Sequence, residues 1–324
     1  MGMKRTILLL IVIVIFSITV RPTAQQPQPN LEIVVAKLTI GGQPMAAGPL
    51  ANISNSPGYD SQPSFLPDGS GVLFSSQRTG TQYDIYKYDF ASQKVVQVTN
   101  TADNENSPIV TPDGKTFSVI RSELPGGAEN QRLWRFNLDG SNPTVVLPDL
   151  RRIGYHVWVD ATHLVLYVLA AAQGEPNTLQ FVDTTTGKAE VIDTQVGRSL
   201  LKRPFTDKVT YVRQPRGEKA MVMEFDPKAK QSTPLVEGVE GSTNRDMAWH
   251  VRGVLLMSAG TKVFAWTPPS GSASGPAPAT SWVEAGDFAS AGVANITRMA
   301  LGPLSPGLSD GAVKLVFAAE LVAK

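Results

Sequence analysis

The sequence predicts an all-β fold, a six-bladed β-propeller of four-stranded antiparallel blades whose ring closes by pairing strands from the two ends of the chain. Three observations carry this expectation. A block of about 45 residues recurs along the chain, each block holds four short strand-like runs, and the two ends each supply half a block.

The first two blocks are the sharpest. Residues 61–99 read SQPSFLPDGSGVLFSSQRTGTQYDIYKYDFASQKVVQVT, and residues 107–147 read SPIVTPDGKTFSVIRSELPGGAENQRLWRFNLDGSNPTVVL. Each opens with a proline-bearing apolar run that ends in Pro-Asp-Gly, at Pro67-Asp68-Gly69 and Pro112-Asp113-Gly114. Proline presets φ for the first central turn position, Asp bonds its own backbone, and Gly tolerates positive φ. A second strand follows (72–75; 117–120), then a third (84–88; 132–136) and a fourth (95–98; 144–147).

Later blocks keep the rhythm and lose the wording. Asp89, Asn137, Asp183, Asp226 and Thr267 each close a third strand, at spacings of 48, 46, 43 and 41 residues. Second strands precede the last three of these at 164–169, 208–213 and 253–258. Five blades result, over about 60–99, 106–148, 151–194, 198–238 and 244–284. The sixth is split. Residues 295–319 read as first and second strands around Asp310-Gly311, whereas 33–38 and 49–54 read as a third and a fourth. Pairing the halves removes the open edges that a stack of sheets otherwise exposes. The closure expected is 33–38 beside 314–318.

Several of these features together resemble the TolB-like, WD-like propeller repeats. They are Pro63-Ser64-Phe65-Leu66-Pro67-Asp68-Gly69, the strand ending in Ser75-Ser76, Asp84-Ile85-Tyr86, and the closing Gln97-Val98-Thr99. The resemblance is sharp over 61–114 and survives as spacing from about 150 to 290. It implies the fold, export and frequent protein binding. TolB itself also carries an N-terminal α/β domain, for which the sequence between Gln25 and Ile33 leaves no room, so a propeller-only chain is expected and a TolB-type role in an envelope complex does not carry over.

Outside the repeats, Lys4 and Arg5 precede an apolar run over 7–20 and then Arg21-Pro22-Thr23-Ala24, the layout of a secretory signal. Fourteen helical residues rise about 21 Å, short of the ~30 Å hydrocarbon core. A cleaved signal (1–24), a flexible Pro-rich tether (25–30) and a single propeller domain (31–324) are therefore expected, with periplasmic or secreted localisation and no membrane span after cleavage. With no cysteine, an exported chain has neither disulfides nor thiolate metal sites and must rely on its core. A formal net charge of +1 argues against nucleic acid as a partner, and a hydrophobic fraction of 42% argues against disorder.

Catalytic signatures are weak. The nearest approach to a nucleophile elbow, Gly271-Ser272-Ala273-Ser274-Gly275, has Ala at its centre and lies in a low-complexity run. His156, His163 and His250 form no short ligand pair, and His156 and His250 each neighbour a Trp. Asp103-Asn104-Glu105-Asn106 offers oxygens that calcium could use, or an ordinary Asx-rich inter-blade turn. Asp89, Asp183 and Asp226 read as turn formers. No cofactor is expected.

One cross-blade pattern remains. First strands line the channel of a propeller, and the residues at or before them include Asp60, Gln62, Asn106, Arg151, Arg152, Arg198, Lys202, Arg245, Asp246, Asn295 and Arg298. Blades three to six each bring a cation, which suits a carboxylate. The bland counterpart is pairing of these cations with Asp60, Asp246 or carbonyls. The function expected is non-catalytic binding, at the channel mouth, of an envelope or extracellular protein, a peptide or an anionic small ligand. The alternative is a metal-dependent hydrolase or lyase, lactonase-like or polysaccharide-active, built on channel-lining residues; a purely structural envelope module is a third reading.

Overall fold

The computed structural model describes residues 30–39, 46–47, 49–78, 80, 82–243, 245–268, 282–304 and 312–322. The expected signal, residues 25–29 of the tether, the Asp310-Gly311 turn and the low-complexity run from 269 lie outside these. Six antiparallel sheets form the ring, and no α-helix occurs among the described residues.

Blade one comprises Asp60–Phe65, Gly71–Ser76, Asp84–Asp89 and Lys94–Gln97, ordered from the axis outward. Blade two comprises Asn104–Val110, Thr116–Ser122, Gln131–Asn137 and Thr144–Val145. Blades three and four begin with the inner strands Ile153–Trp158 and Val196–Lys202, and blade five with Met247–Trp249. The third strands of blades one to four end on Asp89, Asn137, Asp183 and Asp226, as the spacing predicts, while that of blade five ends on Trp266, one residue before Thr267. The turn-forming role is visible in the bonds: Asp89 accepts from Ser92, Asp183 from Thr185, and Asp226 from the backbone of Lys228 and Ala229.

Blade six closes the ring. Val293–Leu301 is its inner strand, Ala312–Leu321 the second and Leu31–Thr39 the third, with Ala51–Asn52 paired outside it. The register runs Leu31↔Glu320 through Ile33↔Ala318 and Lys37↔Lys314 to Thr39↔Ala312. The expected closure is therefore the observed one. Because both faces of the second strand meet neighbouring blades, it reads as a continuous apolar run, with Val313, Leu315, Val316, Phe317, Ala318 and Ala319 all essentially fully buried. Val34, Leu315 and Phe317 pack toward blade five, and Ile33, Val316 and Ala318 toward blade one.

The turns from inner to second strand differ in cost. Gly69 and Gly114 take φ of +70° and +68° in the Pro-Asp-Gly turns. In blade four the turn is Arg203-Pro204-Phe205-Thr206, and Phe205 holds φ at +59° with its ring 90% exposed. A bulky residue there strains the backbone without gaining burial.

Two stability outcomes follow. Phe317→Ala should cost about 3–5 kcal/mol in denaturant unfolding, because a fully buried ring is lost from the closing strand. Phe205→Gly should instead stabilise the fold by roughly 0.5–1 kcal/mol, the relief of left-handed strain exceeding the added chain entropy.

Candidate functional site

Every blade is traversed from its inner strand outward, so all six inner strands run in one direction, from an entry mouth to an exit mouth. Each strand should present alternate residues to either side, but the inner strands of blades one, two, three, four and six carry register shifts. Gln62, Ser107 and Arg298 sit in these bulges at φ of +59°, +55° and +55°. A bulge re-aims a side chain that regular pleating would direct elsewhere.

The result is a polar layer across the channel that draws one residue from each blade: Gln62, Ser107, Tyr155, Arg198, Asp246 and Arg298. Gln62 Oε1 accepts from the Ser107 backbone N–H at 2.6 Å, joining blades one and two. Asp246 is 3% exposed and holds the other side together. Its Oδ2 accepts from Arg198 Nη2 at 3.1 Å and from Thr297 Oγ1 at 2.9 Å, and its Oδ1 lies 3.6 Å from Arg298 Nη1. Arg298 Nη2 donates to the Tyr155 hydroxyl at 2.5 Å, and its guanidinium carbon lies 4.8 Å from that ring's centre. The contact runs from blade six to blade three, across the axis. Two guanidinium groups thus share one carboxylate, and Arg198 Nε is buried without a hydrogen-bond partner among the described residues.

Cavities lie on both sides of this layer, and Arg198 borders each. The entry-side cavity, of about 790 Å³, is polar and lies between blades three and four. Tyr167, Glu175, Asn177, Gln195, Gln214 and Arg216 line it with Arg198. Asn177 Nδ2 donates to the Tyr167 hydroxyl at 2.5 Å, which fixes both. Gly197 leaves room for Gln214, whose Oε1 would stand 2.8 Å from a Cβ at that position. The exit-side cavity, of about 390 Å³, has mostly apolar walls.

Of the residues that the sequence places at the first strands, the layer brings together Gln62, Arg198, Asp246 and Arg298. The others stand apart. Exposed Arg151 reaches the Glu129 carbonyl, Arg152 the Ala170 carbonyl, and Arg245 the Thr243 carbonyl. Lys202 is at the exit end of its strand, bonded to the Val159 carbonyl and 3.8 Å from Asp207. Asp60 is buried and paired with Arg78 at 3.5 Å, so it does not face a mouth. Asn106 and Asn295 sit in the ladder opposite Ile120 and Glu320. Tyr155, Thr297 and Arg216 were not legible as site residues; only the bulges and loop geometry bring them in.

The histidines do not converge. His156 is bonded through Nε2 to Ser118 Oγ at 2.7 Å, and burial holds its pKa down at about 3. His250 lies beyond the end of its inner strand, in the exit-side turn, and His163 is held by Asp160 at 3.0 Å. Among the described residues, no three His, Cys, Asp or Glu side chains gather as metal ligands. The calcium candidate is also spoken for: Asp103 pairs with Arg121 at 2.6 Å, and Asn104 Oδ1 accepts from the Tyr83 backbone.

By sequence, no protein-family model matches the chain and no curated protein matches it. By structure, the chain is similar to a putative TolB from Agrobacterium tumefaciens, with TM-score 0.62 and 11% identity, over 90% of this chain and 99% of that one. It is also similar to TolB from Acinetobacter baumannii, with TM-score 0.53 and 13% identity, over 90% of this chain and 64% of that one. The tricorn protease matches with TM-score 0.53 and 16% identity, over 77% of this chain and 27% of that one. The chain thus spans less than two thirds of the Acinetobacter protein. At these identities the likeness is one of fold, that of a TolB-like propeller.

At the entry side, the seams flanking blade one repeat a motif. Ser54 Oγ accepts from the Ile33 backbone at 2.8 Å and donates to Glu32 at 2.6 Å; in the next seam Thr99 Oγ1 accepts from the Ile85 backbone at 2.8 Å and lies 3.3 Å from Glu105 Oε2. Glu105 is wholly buried, and desolvation, reinforced by Asp84, raises its pKa to about 7 despite Thr101 and Arg121. A carboxyl whose folded pKa is raised favours the protonated native state, so its contribution is full below about pH 4.5 and lost as pH rises through 7. Glu105→Gln should therefore leave stability nearly unchanged at pH 4 and raise it by up to about 3 kcal/mol at pH 8, read from urea midpoints.

Proposed function

We propose that this TolB-like propeller is an exported, non-catalytic binding protein that takes an anionic ligand at its entry mouth, either a small acid or a carboxylate-bearing segment of an envelope or extracellular protein. The observation that carries this reading is Arg198: it borders the entry cavity, and its Nε is buried without a hydrogen-bond partner among the described residues, a state that normally costs about 1–3 kcal/mol unless satisfied. Arg216 adds a second, exposed guanidinium on the same cavity with no described ion pair, the amides of Gln195 and Gln214 supply further donors, and the lining carboxylate, Glu175, accepts from the Ala172 backbone N–H. Arginine forks match carboxylates, and partial desolvation strengthens the contact.

Asp246, the carboxylate of the channel layer, is engaged by Arg198, Thr297 and Arg298 together. It is placed to orient the arginines rather than to act as a base. Export is supported by the charged start and apolar run of the sequence, and no described helix is long and apolar enough to cross a membrane.

The test is a calorimetric panel of acidic sugars and peptides with free or amidated C-termini on the mature chain. Arg216→Ala should weaken the anion that binds by about 5–10-fold without changing the melting temperature, since that side chain is exposed. Arg198→Lys, which keeps the charge and loses the fork, should weaken it further. If neither substitution moves the affinity of any anion that binds, the reading is wrong.

A further inference from the structure

We propose that the exit-side half of the channel is a second binding site, for a small-molecule carboxylate carried on a compact apolar body. The cavity of about 390 Å³ falls in the ~300–1,000 Å³ range of small-molecule sites, which are mostly apolar with a few converging polar groups. Its construction has that division. Phe65, Ile109, Val157, Leu201, Ala248 and Leu301, one from each blade, stand along the exit half. The polar layer closes the inner end.

The charge of that inner end selects the head group. Arg198 and Arg298 face a single carboxylate, Asp246, which leaves the layer one positive charge in excess. Arg298 is held from behind by Tyr155 and Asp246, with its side chain 12% exposed, so it is fixed before any ligand arrives. An ammonium head would be repelled there, and a hydroxyl would leave the excess charge unneutralised. From Arg298 to Leu301 the strand advances three residues, about 10 Å, which sets the length of apolar body that the walls cover.

The form of the walls favours a free acid over an added polypeptide strand. Pro63 and Pro108 occupy matching places on the inner edges of blades one and two, at the level of the layer, and proline has no N–H to offer a pairing backbone. The two readings share Arg198, but Arg216 borders only the entry cavity and Arg298 only the exit one, so variants at those positions tell the two sites apart.

The experiment titrates the full mature chain calorimetrically with hexanoate, octanoate and decanoate below their micellar concentrations, alongside octanol, octylamine and an N-acetylated apolar tripeptide acid. Affinity should rise about 3–4-fold per added methylene and then level off as the walls are used up. Octanoate should bind at least ten-fold more tightly than octanol, and octylamine should not bind. Ala300→Phe, on a half-buried wall residue, should abolish octanoate binding, and Ser64→Leu serves the same purpose if that variant fails to fold. Arg298→Gln should bring octanoate and octanol to similar affinity. Equal binding of acid and alcohol by the unmodified protein would overturn the site, as would binding that survives both wall substitutions. Loss of octanoate binding in Arg216→Ala would place the acid in the entry cavity instead. Tighter binding of the tripeptide than of any alkanoate would overturn the small-molecule assignment.

Discussion

The fold rests on the pairing of Leu31–Thr39 with Ala312–Leu321. Without it, blade six would have two strands and its outer edge would face solvent with unpaired backbone groups. With it, the second strand of that blade is covered on both edges and both faces, which is why almost every side chain from Val313 to Ala319 is apolar and buried. The axis of the ring is then defined by six inner strands rather than five and a gap. Contacts across the channel, such as Arg298 to Tyr155, exist only because that closure holds blades three and six at a fixed separation.

Within the closed ring, the inner strands depart from regular pairing at corresponding levels. The bulges at Gln62, Ser107 and Arg298 place non-glycine residues at positive φ, a local cost that each blade bears for an inward side chain. The polar layer they help to form is internally bonded, yet its charges do not cancel. That imbalance, set between a polar cavity and an apolar one, makes the channel more than the leftover centre of a ring.

The sequence carried the scaffold further than the site. Pro67-Asp68-Gly69 and Pro112-Asp113-Gly114 announce their turns through local chemistry, and Asp89, Asp183 and Asp226 mark strand ends by bonding the following backbone. The split blade was legible because its halves are complementary in hydrophobic pattern. Site residues depend on level and direction along the axis, which spacing does not encode. Arg198 and Lys202 lie on one strand and finish at opposite ends of the channel, and Arg151 turns outward to Glu129 beside a bulged strand. Asp60 looked like a rim carboxylate and is instead a buried partner of Arg78. Arg216 lies beyond a second strand, in a loop that no first-strand search would visit.

The closing register also orders events in time. Residue 31 leaves the ribosome well before residue 320, and each is the other's partner. Five sheets can form from contacts within about forty to fifty residues, while the sixth joins strands separated by all five of them. Loop-closure entropy must be met before that pairing returns any free energy, so ring formation is the high-contact-order step. Until then Leu31–Thr39 is an apolar strand without its partner. Its exposure before closure, more than any weakness of the finished ring, is where this molecule is open to mispairing.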